Sequence, residues 1–340
     1  MTDSSSSFSL LAQIAPQRST QYSALALALA PIELRLSALG KSIESLDAVT
    51  LGGQAYLKAR LSTPADATVL RELGALAMSS GFFDGVDEID GKPGPWLRPI
   101  ETGFVPAMPP ELVMTRRYKG KTNEMFTQFL CNVARASSAF AQTPWAELRL
   151  LDPLAGGGTT LFTGLMLGAD VAGVEQSKED VESTSTFFTQ YVREQGIACQ
   201  IKDETLKRLG RRWWFTMGKE VKRNCIMACG LTEQSAELLA NVKRFHLIVT
   251  DLPYGIQHRG GVTSLLYHSL PAWKSLLLPG GALVFAWDAT HTPREEIVEY
   301  IQAQGLEVRT TPPYDAMEHR VDRVIKARDV LVATTNESTN

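Results

Sequence analysis

Residues 148–175 constrain the fold more tightly than any other part of the chain. A short apolar strand, Leu148-Arg149-Leu150-Leu151, runs into Asp152-Pro153-Leu154-Ala155-Gly156-Gly157-Gly158-Thr159-Thr160, after which Leu161, Leu165, Met166 and Ala169 recur at helical spacing. The next strand, Asp170-Val171-Ala172-Gly173-Val174, ends in Glu175, 19 residues beyond Gly156. This is the opening of a nucleotide-binding β-α-β unit. Its glycines let a ligand approach the backbone closely, and the terminal acid can accept hydrogen bonds from both ribose hydroxyls.

The second informative stretch lies about 100 residues downstream, where the apolar run Leu247-Ile248-Val249 leads into Asp251-Leu252-Pro253-Tyr254, followed by Gly255. The pattern predicts a buried strand that stops at a turn carrying one carboxylate and one aromatic ring. Open α/β sheets place their ligands at such carboxyl ends, so the position suits chemistry on something planar. Taken alone, Asp251 reads equally well as a helix cap or turn residue, and Tyr254 as a rim aromatic; the glycine loop upstream shifts the balance toward a site.

Together these residues resemble the Rossmann-like S-adenosylmethionine (SAM) methyltransferases that act on exocyclic amino groups of bases, whose catalytic motif is written D/N-P-P-Y/F/W. The form with Leu in second place and Gly after the aromatic is similar to the tRNA guanine-N2 methyltransferases and related RNA methylases. The resemblance covers roughly residues 115–335. It implies an α/β fold: a seven-stranded methyltransferase sheet with a closing C-terminal β-hairpin. It also implies SAM held by Asp152, Ala155, Gly156, Gly157, Gly158 and Thr159, with Glu175 on the ribose and Asp152 fixing the loop or meeting the SAM amino group. Asp251, Pro253 and Tyr254 become the catalytic residues, with RNA as partner, tRNA ahead of rRNA. An exocyclic amine is a poor nucleophile because its lone pair is delocalised into the ring. A carboxylate accepting its protons, with a backbone carbonyl of the rigid Leu252-Pro253 segment, returns electron density to nitrogen while Tyr254 stacks on the base.

One position departs from the family. Many members carry an acid after the third strand that contacts the adenine amino group, whereas this chain has Ala228-Cys229-Gly230-Leu231-Thr232. Backbone groups around Cys229, or Thr232, are the candidates to replace it. A DNA adenine-N6 or cytosine-N4 methyltransferase is the alternative activity, since the same tetrad serves that chemistry, and a catalytically silent SAM- and RNA-binding partner protein is a second.

Residues 1–8 are Ser-rich and expected to be disordered, as are roughly the last six. Residues 9–110 form a compositionally separate region, expected to be a small α+β accessory domain for substrate recognition. It carries a helix around Tyr22 to Leu39, strands near Ala48 to Leu51 and Ala55 to Leu61, and an amphipathic helix from Ala65 to Ser80. The run Asp90-Gly91-Lys92-Pro93-Gly94-Pro95, with Pro99, Pro106, Pro109 and Pro110, reads as turn and linker and sets the boundary near 110. The methyltransferase domain then spans 111–335, opening on a helix over Thr122 to Ala139.

Within it, residues 202–223 look inserted, with eight basic residues against three acids and Trp213-Trp214-Phe215 interleaved. Cations beside aromatics suit RNA, so Arg211, Arg212, Trp213 and Trp214 are substrate-binding candidates. An amphipathic helix whose Trp residues pack on the sheet is the competing reading. His258 and Arg259 are placed in the substrate cleft or on a surface loop, and Arg116, Arg117, Lys119 and Lys121 guide a phosphate backbone or form a solvated linker.

The net charge of −3, from 34 basic and 37 acidic residues, advertises no global field for a polyanion, so a nucleic-acid surface must be local. Four scattered cysteines suggest a reducing compartment, and no second Cys/His pair accompanies Cys225 and Cys229, so no metal site is expected. The uncharged stretch Ser19 to Ile32 is too short to span a bilayer and no signal-peptide cleavage pattern is evident, so the expected location is cytoplasmic.

Overall fold

A computed structural model describes residues 8–17, 19–118, 120–253, 261–321 and 327–336. The chain divides into two compact units, Met1–Val105 with Thr311–Lys326, and Pro106–Thr310 with Ala327–Asn340.

The first unit contains β1 (Phe8–Ile14), α1 (Thr20–Leu36), β2 (Ile43–Leu51), β3 (Gln54–Leu61), α2 (Ala67–Leu73), β4 (Ser79–Ile89) and β5 (Lys92–Pro99). Its strands form an antiparallel sheet in the order β2-β3-β1-β4-β5. On β3, buried Leu57, Ala59 and Leu61 alternate with exposed Lys58 and Arg60, the period of a strand with one face in a core. Helix α1 packs on β1 and β3 and buries Leu25, Leu29 and Leu34.

Four expectations change here. The helix anticipated over 65–80 is only α2. Asp66 caps it, accepting from the amides of Thr68 and Val69 at 2.8 Å each. Gly74 closes it, at a place where a Cβ would lie 2.4 Å from the Cβ of Phe104. The proline-rich run taken as linker is instead strand β5, turned back on β4 through Asp90 and Gly91 with φ of 50° and 72°. Its prolines are tolerated because β5 pairs with β4 alone, at the sheet edge, where missing N–H donors cost little. Phe8 belongs to β1, opposite Leu61, and is not part of a tail. The break between units falls at 105/106, not 110, because the Ala107 amide already donates to the Met166 carbonyl at 2.8 Å.

The second unit contains α3 (Glu111–Thr115), α4 (Glu124–Ser137), β6 (Arg149–Asp152), α5 (Thr159–Leu167), β7 (Asp170–Glu175), α6 (Lys178–Glu194), β8 (Cys199–Leu206), β9 (Gly210–Met217) and β10 (Arg223–Cys229). It continues with α7 (Ser235–Leu238), β11 (Phe245–Asp251), α8 (Gly261–Leu276), β12 (Leu277–Asp288), α9 (Arg294–Ala303), β13 (Glu307–Val308) and β14 (Arg328–Thr334). The nine-stranded sheet runs β13-β14-β12-β11-β6-β7-β10-β9-β8. Strands β10, β7, β6, β11 and β12 are parallel, and β14 lies antiparallel between β12 and β13. This is the Rossmann-like methyltransferase sheet of seven strands, extended by two.

The two extra strands are the inserted segment. It folds as the antiparallel hairpin β8–β9, added to the edge of β10, and not as an amphipathic helix. Three consecutive aromatics favour a pleated surface, and the turn carries Arg208 at φ 63° and Gly210 at φ 157°. At the other edge β13 and β14 pair as anticipated for the closing strands, but residues 309–327 between them make a long connection, of which 311–326 group with the first unit. The core lies between the sheet and its helices, with Leu151, Ile248, Trp273, Phe285, Trp287 and Ile301 among its buried members. Among the described residues no helix is long and apolar enough to cross a membrane.

Candidate active site

The carboxyl edge of the parallel strands gathers the sequence-predicted residues into two groups. The first is the glycine loop after β6. Asp152 is 3 % exposed, and its Oδ1 accepts from the Leu154 amide at 3.0 Å, folding the chain into the loop. Burial pushes this carboxyl up to about 6, against hydrogen bonds from Thr160 and the Leu154 amide. Gly156 and Gly158 take φ of 47° and 86°, which glycine alone adopts without strain, and Gly158 opens α5. A Cβ on Gly157 would lie 2.4 Å from the Tyr118 ring. Ala155 is fixed by its amide, which donates to the Val174 carbonyl at 2.9 Å.

Glu175, at the end of β7, binds this loop directly. Its Oε2 accepts from the Gly156 amide at 3.0 Å and its Oε1 from the Ser177 amide at 2.8 Å. Each carboxylate oxygen keeps a second acceptor site, so hydroxyl donors can still be taken. The arrangement discriminates between ligands. A phosphate-binding loop offers free amides at a helix N-terminus, whereas here the Gly156 amide is already engaged by an acid and a second acid lies buried at the loop's start. Two carboxylates beside a glycine loop suit a cationic ligand that carries ribose hydroxyls. The adjoining crevice is lined by Gly156, Gly158, Glu175, Thr184, Met227 and Ala228.

The third strand's end completes this side. Cys229 is opposite Glu175 in the β10–β7 register, and the Gly230 amide donates to the Glu175 carbonyl at 3.0 Å. Burial and the neighbouring carboxylates of Glu175 and Glu182 raise the Cys229 thiol. Thr232 is removed as an adenine contact: it is buried and its hydroxyl accepts from the Trp273 indole at 3.0 Å, facing the core.

The second group centres on Asp251 at the end of β11. Its Oδ2 accepts from the Thr122 hydroxyl at 2.8 Å and lies 3.9 Å from Arg328 Nη2, with the carboxylate side chain 12 % exposed. Thr122 is held there by helix α4, whose N-cap Asn123 accepts from the Phe126 amide at 3.0 Å and which packs on β11 and β12. Leu252 is fully buried and its amide donates to the Ala286 carbonyl at 2.9 Å, fixing the segment that leads to Pro253. Tyr254, His258 and Arg259 lie outside the described residues, as does Lys119.

The hairpin places its candidates differently from the sequence expectation. Arg212 is 6 % exposed and is consumed internally, donating to Glu204 at 2.8 and 3.0 Å and to the carbonyls of Leu238 and Ala240 at 3.0 and 3.1 Å. Trp213 is buried as well, and the Trp214 indole donates to Asn224 at 3.0 Å. Arg212 and Trp213 therefore offer no cation or ring to a nucleic acid; they fasten the hairpin. Arg211 keeps a side chain 44 % exposed, paired with Asp203 and, at 3.5 Å, with Glu182. It stands opposite Cys229, at the same edge as the loop.

Besides Thr122, sequence reasoning missed three partners. Arg116, anticipated as a phosphate guide or linker residue, is buried and donates to the Gly157 carbonyl, Thr184 and Ser183. Tyr118 shares a hydrogen bond of 2.5 Å with Thr159 and lies beneath the Arg116 guanidinium, 5.1 Å from ring centre to carbon. Arg328 is separated from Asp251 by most of the C-terminal third of the domain, and no local pattern links them. The basic cluster at 116–121 was the only sequence signal for the first two. Among the described residues no cluster of three or more metal-ligating side chains occurs.

No protein-family model matches the chain, and a search of curated proteins finds no match. Solved structures do resemble it. TrmN from Thermus thermophilus is 15 % identical over 85 % of this chain and 59 % of that one, with a TM-score of 0.40. An rRNA methylase from Streptococcus thermophilus is 10 % identical over 58 % of this chain and 95 % of its own, at 0.34. A precorrin-6y C5,15-methyltransferase from Geobacter metallireducens is 13 % identical over 56 % and 80 %, at 0.33. Resemblance at this level does not separate one substrate from another, and the fold assignment rests on the strand order itself.

Proposed function

We propose that this chain is a SAM-dependent methyltransferase that modifies an exocyclic amino group of a base in RNA, with guanine N2 in tRNA as the leading target. The observation that carries the reading is the meeting, at one sheet edge, of a glycine loop backed by two acids with a nearly buried carboxylate at the end of β11. SAM bound there would supply an electrophilic methyl group, and the residues of the site would hold it and orient the base nitrogen toward it. Glu175 would hold the ribose hydroxyls, and the Ala155 to Thr159 loop would pass beside the cofactor, with Asp152 supporting it from below. The backbone around Cys229 borders the adenine ring in this reading.

Asp251 accepts hydrogen bonds from the amino group and so draws electron density onto the attacking nitrogen. Pro253 stiffens the backbone whose carbonyls share that task, and Tyr254 stacks on the base. Arg211, with His258 and Arg259, is assigned to the RNA, and the first unit to substrate recognition. The preference for RNA rests on the resemblance to RNA methylases and on the basic-aromatic segment 202–223, in which Arg211 stays partly exposed.

The test compares the parent with Asp251→Ala, using tritiated SAM with total RNA and, separately, genomic DNA from cells lacking this protein. Turnover on RNA is expected to fall at least about a hundredfold in the variant, with SAM affinity within about twofold, the signature of an interaction made in the transition state. Equal turnover in both proteins overturns the catalytic assignment, and methylation of DNA alone overturns the substrate class.

A further inference from the structure

The Asp251 carboxylate is gripped from two elements distant in sequence. Thr122, just ahead of α4, donates its hydroxyl to Oδ2 at 2.8 Å, and Arg328, the first residue of β14, brings Nη2 to 3.9 Å of the same oxygen. Strand β14 pairs with β12, which pairs with β11, so the guanidinium reaches back across one strand to the carboxyl end of β11. Its side chain is 10 % exposed, and its Cζ lies 4.8 Å from the centre of the Phe126 ring on α4. A long cationic side chain shielded from water and resting on an aromatic face has few places to go. It is held over the one carboxylate to which the chemistry has been assigned.

We propose that Arg328 is the positioning residue of the site. Together with Thr122 it fixes the orientation of Asp251 and keeps it ionised, so that Asp251 serves as a stationary hydrogen-bond acceptor and not as a proton-removing base. The inference rests on the reading of Asp251 as the amino-group acceptor. The chemistry asks for this arrangement. A carboxylate that became protonated would lose its acceptor capacity at the oxygen carrying the proton, and one that rotated would lose alignment with the attacking nitrogen. The adjacent cation opposes the first, and the Thr122 hydrogen bond, with the guanidinium 3.9 Å from the same oxygen, opposes the second. Charged groups of both signs stand on the elements packed nearby. Strand β6 ends in buried Asp152, β12 ends in Asp288 opposite Arg328, and the Lys121–Glu124 ion pair flanks Thr122.

The experiment measures methyl transfer from tritiated SAM to total RNA of cells lacking this protein, across pH, for the parent, Arg328→Met, Arg328→Lys, Thr122→Val and Asp251→Ala. Folding and SAM affinity are checked by thermal melting and calorimetry. Arg328→Met is expected to lose tenfold or more in kcat/KM at neutral pH with SAM affinity unchanged, and its acid limb is expected to move up by about one pH unit. Arg328→Lys should return the limb toward the parent's while recovering only part of the rate, because the charge is kept and the fork geometry is not. Should Arg328→Met fail to fold, the Lys variant and Thr122→Val carry the test, each expected to lower kcat with SAM affinity unchanged.

An unchanged rate and acid limb in the folded Arg328 variants, with Asp251→Ala inactive, overturns the positioning role and leaves the function standing. Full activity in Asp251→Ala overturns the acceptor reading itself, and this inference with it.

Discussion

At the residue scale, Asp152 stands at about 6 instead of 3.8 because burial disfavours its charged form. A folded-state value above the unfolded one means that the folded chain binds the extra proton, so stability falls as pH rises from about 4 to about 6 and stays lower above that. The displacement corresponds to about 3 kcal/mol at neutral pH. Asp152→Asn is therefore expected to raise the melting temperature of the ligand-free protein at pH 7.5, with the gain vanishing near pH 4, and to weaken SAM binding. Melting curves at the two pH values check this, and no stabilisation at pH 7.5 contradicts it. Glu175 holds the loop itself. Its carboxylate ties the Gly156 and Ser177 amides together, so Glu175→Ala should loosen the loop and cost SAM affinity about tenfold or more by calorimetry, with kcat at saturating SAM much less affected; equal affinity removes it from the ribose. Both acids were legible from the sequence, because each terminates a strand flanking a glycine turn. Arg328, Thr122 and Tyr118 were not, since side-chain partnership across three-dimensional space leaves no periodic mark.

At the scale of elements, the hairpin β8–β9 separates what sequence shows from what it hides. The excess of cations and aromatics in 202–223 is plain in the sequence, but its destination depends on pairing. Glu204 opposite Arg212 in the ladder, with the carbonyls of Leu238 and Ala240 within reach, turns a cation into a structural clamp. Arg211, one residue earlier, faces the other side and remains half open. Denaturant unfolding should distinguish the two. Arg212→Ala is expected to cost about 2 kcal/mol or more, by stranding two carbonyls and a partly buried carboxylate, whereas Arg211→Ala should cost under about 1 kcal/mol. Similar small losses in both would mean that the clamp is not a clamp. Parallel strands were the easiest elements to find, as their unbroken apolar runs bury both faces; β11 contains the run Leu247-Ile248-Val249 and ends at Asp251, as expected. Strand β5 was hidden because proline and glycine signal turns everywhere except on a sheet edge.

At the scale of the whole molecule, the chain joins an antiparallel sheet unit to a methyltransferase sheet whose order, β10-β7-β6-β11-β12 with β14 antiparallel, brings residues from 152 to 328 to one edge. The order of motifs along the chain was sufficient to anticipate that edge, because each strand of an open α/β sheet delivers its terminal residues to the same side. The return of residues 311–326 to the first unit could not be anticipated in this way, as nothing in a proline-bearing connection names its partner. The most direct test of the whole account is mass spectrometry of nucleosides from tRNA, rRNA and genomic DNA, in cells that lack the protein and in the same cells supplied with the parent or with Asp251→Ala. One methylated amino-base, N2-methylguanosine in tRNA before any other, is expected to be missing without the protein, to return with the parent and to stay missing with Asp251→Ala. Identical nucleoside profiles in all three strains, or a loss confined to DNA, would contradict it.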